Sequence, residues 1–162
     1  MNRFAQVCLI GLAAVAAAAC GGSRAEEPPP QPVVVQAPPC AETWVHMPML
    51  ITFPTSGSTI DQQNREILQE LVRSAQARND IRGVRVEGHT DTCGGELNNM
   101  ILSNNRSESV ASELVMMGVP RNMIQTIGYG STQPRANESC GREQTLSEQT
   151  NRRVEFSLLV CR

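Results

Sequence analysis

The sequence predicts an α+β domain of order βαβαβ, loop, β, with helices packed on one face of a mixed four-stranded sheet. Two observations carry this. Apolar residues alternate singly along 84–87 and 154–160, as in half-buried strands, and recur at three- and four-residue steps along 60–77 and 95–117, as in amphipathic helices. Strand and helix stretches also alternate along the chain, and a strand–helix–strand connection within one sheet joins parallel strands with a right-handed crossover.

Taken in order, residues 44–53 are rich in β-formers, and Pro48 marks an edge position or a bulge. Over 60–77, Ile60, Ile67, Leu68, Leu71, Val72 and Ala75 form one stripe opposite Gln, Glu and Arg, and Asn79-Asp80 ends the helix. Residues 84–87 make a strand that begins to exit at Gly88. From 95 to 117, Leu102, Val110, Leu114 and Met117 keep helical spacing until Gly118 stops it. A short turn at 120–123, a third strand at 124–129 and a loop rich in Gly, Pro and Asn at 130–141 follow. Val154, Phe156, Leu158 and Val160 then define the last strand. The first three strands are expected to run the same way; the fourth follows a loop without an evident helix and is expected to return antiparallel.

The 162 residues suffice for one core and its appendages. Positions 1–19 read as an export signal: Arg3, then a charge-free, Ala-rich run over 7–19, shorter than the roughly 20 apolar residues of a membrane-spanning helix. Ala17-Ala18-Ala19-Cys20-Gly21 resembles the lipobox of bacterial lipoproteins, in which the cysteine sulfur accepts a diacylglyceryl group. Ala17 stands where Leu is usual, so ordinary cleavage after an Ala-x-Ala site is the rival. Acyl chains on Cys20 would attach the chain lastingly to a membrane. Gly21, where an inner-membrane retention signal puts Asp, favours the outer membrane, with the domain in the periplasm. Residues 20–39 form the lipid site and a Pro-rich linker; at about 3.1 Å per residue the linker reaches up to roughly 60 Å. The globular domain is expected over 40–162.

Four cysteines fall in that domain, Cys40, Cys93, Cys140 and Cys161, and disulfides persist in exported proteins. Three connectivities are open. The expected topology puts Cys40 and Cys161 at one sheet edge and Cys93 and Cys140 at the other, favouring those two pairs, each contributing about 2–4 kcal/mol. The formal charge of −2 argues against nucleic acid as a partner. All 14 basic residues are Arg, which excludes attachment to a wall through a lysine amine.

The stretch 88–107, GHTDTCGGELNNMILSNNRS, carries the function. Gly88, His89, Thr90, Asp91, Gly94, Asn99, Leu102, Ser103 and Arg106, with Gly128-Tyr129-Gly130, Pro134, Asn137, Gly141-Arg142 and Asn151-Arg152-Arg153-Val154-Glu155, occupy the places of a spaced pattern. In these residues the chain resembles the OmpA C-terminal family of peptidoglycan-binding domains, which includes the peptidoglycan-associated lipoprotein Pal and the wall-anchoring part of flagellar stators. The resemblance spans roughly 51–160. It implies a non-covalent site for the diaminopimelate residue of peptidoglycan stem peptides, whose free end bears an ammonium and a carboxylate on one carbon. Asp91 would take the ammonium and Arg106 the carboxylate through two parallel bonds; Thr90, Asn99 and Leu102 complete the candidate site. Spacing agrees: Asn99, Leu102 or Ser103, and Arg106 share a helix face, and helical side chains lean toward the N-terminus, aiming Arg106 at the Asp91 loop. The family commonly has an aromatic at Asn98, an acidic residue at Ser56 and Ala at Ser107, so one charged contact is missing here.

Other readings of the same residues are open. Asp91 and Arg106 could form a structural salt bridge. Arg152 and Arg153 could brace the loop or touch ligand. Glu87, His89, Asp91 and Cys93 alternate onto one side and include zinc-ligand types, yet ligands two residues apart on one strand rarely close a tetrahedron; no metal or cofactor is expected. Ser103 has no evident base, so no enzyme is expected either. The resemblance to Pal also allows a protein scaffold contacting periplasmic Tol-type proteins.

Overall fold

The computed structural model describes residues 40–138, 140 and 145–162. The expected export signal at 1–19, the lipid site Cys20 and the linker to residue 39 lie outside the described residues. The elements are β1 (Glu42–Thr52), α1 (Gln62–Gln76), β2 (Ile81–Gly88), α2 (Glu96–Met116), a 3-10 turn at Arg121–Met123, β3 (Ile124–Gly128), α3 (Leu146–Asn151) and β4 (Arg153–Cys161). They build an α+β fold on a mixed four-stranded sheet of order β1-β4-β2-β3. β2 and β3 are parallel, and β4 is antiparallel to both β1 and β2.

The first three strands thus share one direction, as the sequence predicts, but β4 enters between β1 and β2 and splits the first βαβ unit. Its composition suits that central place: Val154, Phe156, Leu158 and Val160 are all 2% exposed or less. β1 is left at the edge, where Pro48, with no N–H to donate, falls in a register shift between His46 and Leu50.

Inner-face Ile51, Val84, Val86 and Phe156 pack under Leu68, Leu71 and Val72 of α1 and Val110, Ala111 and Leu114 of α2. Asp61 caps α1 by accepting from the Asn64 backbone at 2.7 Å, and the Asn64 side chain donates to the Thr52 carbonyl at 2.9 Å. These two bonds fix the loop between β1 and α1.

α3 is a correction to the long loop expected before β4. It is six residues long, with a capping box between Thr145 and Glu148. It buries Glu148 and Asn151 rather than an apolar stripe, so it has no hydrophobic period to read.

Two disulfides join Cys40 to Cys161 and Cys93 to Cys140, with Cα atoms 5.4 Å and 5.3 Å apart. The first ties the start of β1 to the end of β4. The second ties the turn after β2 to the segment before α3.

α2 lies unusually close to the sheet. A Cβ on Gly88 would collide with the Ser103 carbonyl, and one on Gly128 would sit 2.6 Å from the Asn104 nitrogen. Glycine at these strand ends lets the middle of α2 rest on the backbone of β2 and β3. Gly88→Ala is expected to lower unfolding free energy by about 3 kcal/mol, the upper range for overpacking a core, because backbone must move. Urea unfolding measures it; a loss below about 1 kcal/mol would mean that the contact is soft.

Candidate functional site

Beyond Gly88 the chain is strapped on both sides. The His89 nitrogen donates to the Arg153 carbonyl and the Thr90 nitrogen to the Gly130 carbonyl, each at 2.9 Å. Asp91 follows at once, 7% exposed, with its backbone oxygen taking a bond from the Asn99 side chain at 3.3 Å. Its position is therefore set by β4, by the exit of β3 and by the first turn of α2.

Arg106 reaches this strap from α2, as the helical lean of its side chain predicts. It has no exposed surface. Nη1 donates to the His89 carbonyl at 2.8 Å, Nε to Gly57 at 2.8 Å and Nη2 to Pro54 at 3.0 Å, while its guanidinium lies 5.2 Å from the Phe53 ring centre. Burial lowers its pKa to about 10; the Asp91 charge opposes that shift and the Arg152 charge adds to it. Arg106 therefore remains a cation at neutral pH, within electrostatic reach of both.

The direct partner of Asp91 differs from the one considered in the sequence. Its Oδ2 lies 3.1 Å from Nη1 of Arg152, not against Arg106, and the Arg152 Nε donates to the Phe53 carbonyl at 3.1 Å. Arg152 is 2% exposed; the sequence left it open between bracing the loop and touching ligand, and did not pair it with Asp91. Arg153 does brace the loop, through the Gln133 carbonyl at 3.1 Å and the Glu155 carboxylate. Two adjacent arginines thus diverge, one to Asp91 and the Phe53 carbonyl, the other to Gln133 and Glu155.

Of the other candidates, Thr90 is 2% exposed and its hydroxyl has no partner among the described residues. Leu102 is half-buried. Ser56 is exposed and adopts φ 55°, a left-handed conformation unfavourable for a side-chain-bearing residue. Where the family pattern places an acid, the Pro54 and Gly57 carbonyls on either side of it meet Arg106 instead. Ser103 donates to the Met100 carbonyl and accepts from the Gly130 nitrogen, both at 2.9 Å, a structural role with no base beside it. The zinc-type set is dispersed: Cys93 is in a disulfide, and Glu87 accepts from Ser157 at 2.9 Å and Tyr129 at 3.4 Å.

His89 is 1% exposed and stacks on Tyr129, ring centres 5.3 Å apart; neither ring nitrogen has a partner among the described residues. Burial pulls its pKa from 6.5 to about 4, helped by Arg153 and Arg135 and opposed by Glu155. The folded protein therefore holds it neutral while the unfolded chain takes a proton. Stability is expected to be level above about pH 6.5 and to fall as pH drops toward 4, since the unfolded state then binds more protons. His89→Gln should flatten the decline between about pH 6.5 and 5, above the range where carboxylates titrate. Denaturant midpoints against pH decide it; parallel curves for wild type and variant would exclude His89 as the cause.

Known proteins resemble this chain in sequence and in fold. The chain is 34% identical over 121 residues to the probable lipoprotein YiaD of Escherichia coli K12, which covers 70% of this chain and 50% of YiaD. It is 35% identical over 106 residues to the peptidoglycan-binding protein ArfA of Mycobacterium tuberculosis H37Rv, covering 65% of this chain and 31% of ArfA. The chain thus spans half or less of these relatives. Its fold is shared with the crystal structure of the peptidoglycan-associated lipoprotein from Burkholderia pseudomallei, at a TM-score of 0.57 and 24% identity, covering 70% of this chain and 89% of that one. The sequence model of the OmpA family matches residues 52–147, more than half of the residues, and the chain belongs to that family.

Proposed function

We infer that the protein binds diaminopimelate-type peptidoglycan non-covalently. The observation that carries this reading is the convergence of a buried carboxylate, Asp91, with the buried guanidinium of Arg106 at one strand end, beside an unpartnered Thr90 hydroxyl. A zwitterionic amino-acid head presents the complementary charges at one carbon. Asp91 takes the ammonium; Arg106 takes the carboxylate, with Arg152 beside Asp91 adding positive potential. Asn99 and Thr90 supply short polar contacts around it, and Leu102 offers apolar surface to the aliphatic stem. The domain acts as a binding module, not an enzyme, and the relatives it matches are named as lipoproteins, outer membrane proteins and peptidoglycan-binding proteins.

Membrane tethering extends this reading. No helix among the described residues is long and apolar enough to cross a membrane. A lipid on Cys20, after removal of residues 1–19, would hold the chain to the outer membrane, with residues 20–39 as spacer and 40–162 on the wall.

Calorimetric titration with a diaminopimelate-containing stem peptide should give binding at least about tenfold tighter than its lysine counterpart, because one charge-assisted hydrogen bond contributes about 1.5–3 kcal/mol. Equal affinity for the two peptides would remove Arg106 as the carboxylate reader.

Asp91→Asn keeps the shape and loses the charge, and should abolish co-sedimentation with diaminopimelate-type sacculi while the protein stays folded by circular dichroism. Undiminished retention would reject Asp91 as the ammonium site. Arg106→Ala is a poorer probe, since breaking a buried charged network lowers stability by roughly 3–5 kcal/mol and confounds binding with folding.

A further inference from the structure

The loop bearing Asp91 and the residues beside Arg152 belong to one closed circuit. The Thr92 nitrogen donates to a Glu138 carboxylate oxygen, and the other oxygen of Glu138 accepts from the Asn151 side chain at 3.0 Å. Asn151 has no exposed surface; its side-chain oxygen accepts from the Arg135 and Ala136 nitrogens at 2.7 and 3.0 Å, and its amide donates to the Ala136 carbonyl at 2.7 Å. Thr92 follows Asp91 in sequence and Asn151 precedes Arg152. The 3.1 Å ion pair between Asp91 and Arg152 therefore closes a ring that runs through Glu138.

Within that ring the link between Thr92 and Glu138 is solvent-exposed, and water competes for both of its ends. A covalent bond runs alongside it: Cys93 is next to Thr92, Cys140 lies two residues past Glu138, and the Thr92 hydroxyl is 3.7 Å from the Cys140 sulfur. The other disulfide stands at the opposite end of the sheet. Cys161 pairs with Glu42 and its nitrogen donates to the Asp80 carbonyl, before β2 begins, whereas Asp91 lies beyond the end of β2.

We propose that the Cys93–Cys140 bridge is a positioning element of the ligand site: it holds the Asp91 loop against the Asn151-Arg152 end of α3, and affinity for peptidoglycan depends on it. Cys40–Cys161 contributes to stability without touching affinity. This rests on the peptidoglycan reading above. The bridge closes a separation of 47 residues, so its loss frees the intervening segment to leave Thr92 and Asn151, after which Asp91 and Arg152 no longer share one geometry.

The test compares the whole protein with two double variants, Cys93→Ser/Cys140→Ser and Cys40→Ser/Cys161→Ser, in binding to diaminopimelate-type sacculi and in amide hydrogen exchange without ligand. The first pair of substitutions should weaken binding at least about tenfold and speed exchange of the Thr92, Arg135 and Ala136 amides by a similar factor. The second should leave binding within about twofold and those amides unchanged, although its unfolding midpoint falls. Thermal unfolding of both variants shows that each remains folded during the assays. If both variants lose affinity equally, or the first loses none while wild type binds, the positioning role is overturned and the peptidoglycan reading stands. If wild type itself fails to bind, that reading falls, and exchange alone decides whether the bridge holds the loop: unchanged Thr92 exchange in the first variant overturns it.

Discussion

Arg106 is a cation without exposed surface, and three separate stretches of chain converge on it. Its N–H groups meet the carbonyls of Pro54, Gly57 and His89, so one side chain on α2 defines where the β1–α1 loop and the turn after β2 come to rest. A buried guanidinium without such partners would be prohibitive; with them it acts as a spoke between loops that share no backbone ladder. The depressed pKa of about 10 shows that burial outweighs the nearby Asp91 charge, yet leaves the group ionised at neutral pH. Peptide dipoles thus stabilise the cation, with Asp91 and Arg152 within its electrostatic reach.

Topology supplies the remaining charges. Inserting β4 between β1 and β2 puts Val154 opposite both Ile51 and Gly88. The residue just before β4 is Arg152, so it arrives at the same sheet end as Asp91, 61 positions away in sequence. The close approach of α2 over Gly88 and Gly128 brings Arg106 to that end from above. Each charge is thus delivered by a different long-range constraint: a strand register, a crossover and a helix-to-sheet contact. Asp91 itself stands beyond the end of β2, so its loop depends also on the bonds that tie residues 92 and 93 to the segment before α3.

Elements with a long period were legible in the sequence. α1, α2 and β4 show their apolar faces over enough residues to fix type and approximate bounds, and Pro48 marks an irregular edge strand. α3 was hidden because its buried residues, Glu148 and Asn151, are polar; the Thr145–Glu148 capping signal was present without a stripe behind it. Within the site, Asp91 and Arg106 could be read from spacing and from the resemblance. The Asp91–Arg152 pair could not, because it depends on which strands flank β4, and periodicity determines strand faces but not strand order. Arg152 and Arg153 looked alike in sequence, yet Arg152, capping α3, meets Asp91, and Arg153, the first residue of β4, meets Glu155 and the loop.

The stability needed to bury Arg106 is drawn from hydrogen bonds to backbone carbonyls. On the proposed binding, an ammonium would enter or replace the 3.1 Å contact between Asp91 and Arg152. An ammonium alone gains from Asp91 but meets two arginine charges; a carboxylate alone gains from the arginines but meets Asp91. In the proposed binding mode, a head carrying an ammonium and a carboxylate on one carbon meets a partner of opposite sign for each charge. In that mode the placement of Asp91 relative to Arg106 and Arg152 sets which charges a ligand must carry, and the strap on residues 89–90 contributes to that placement.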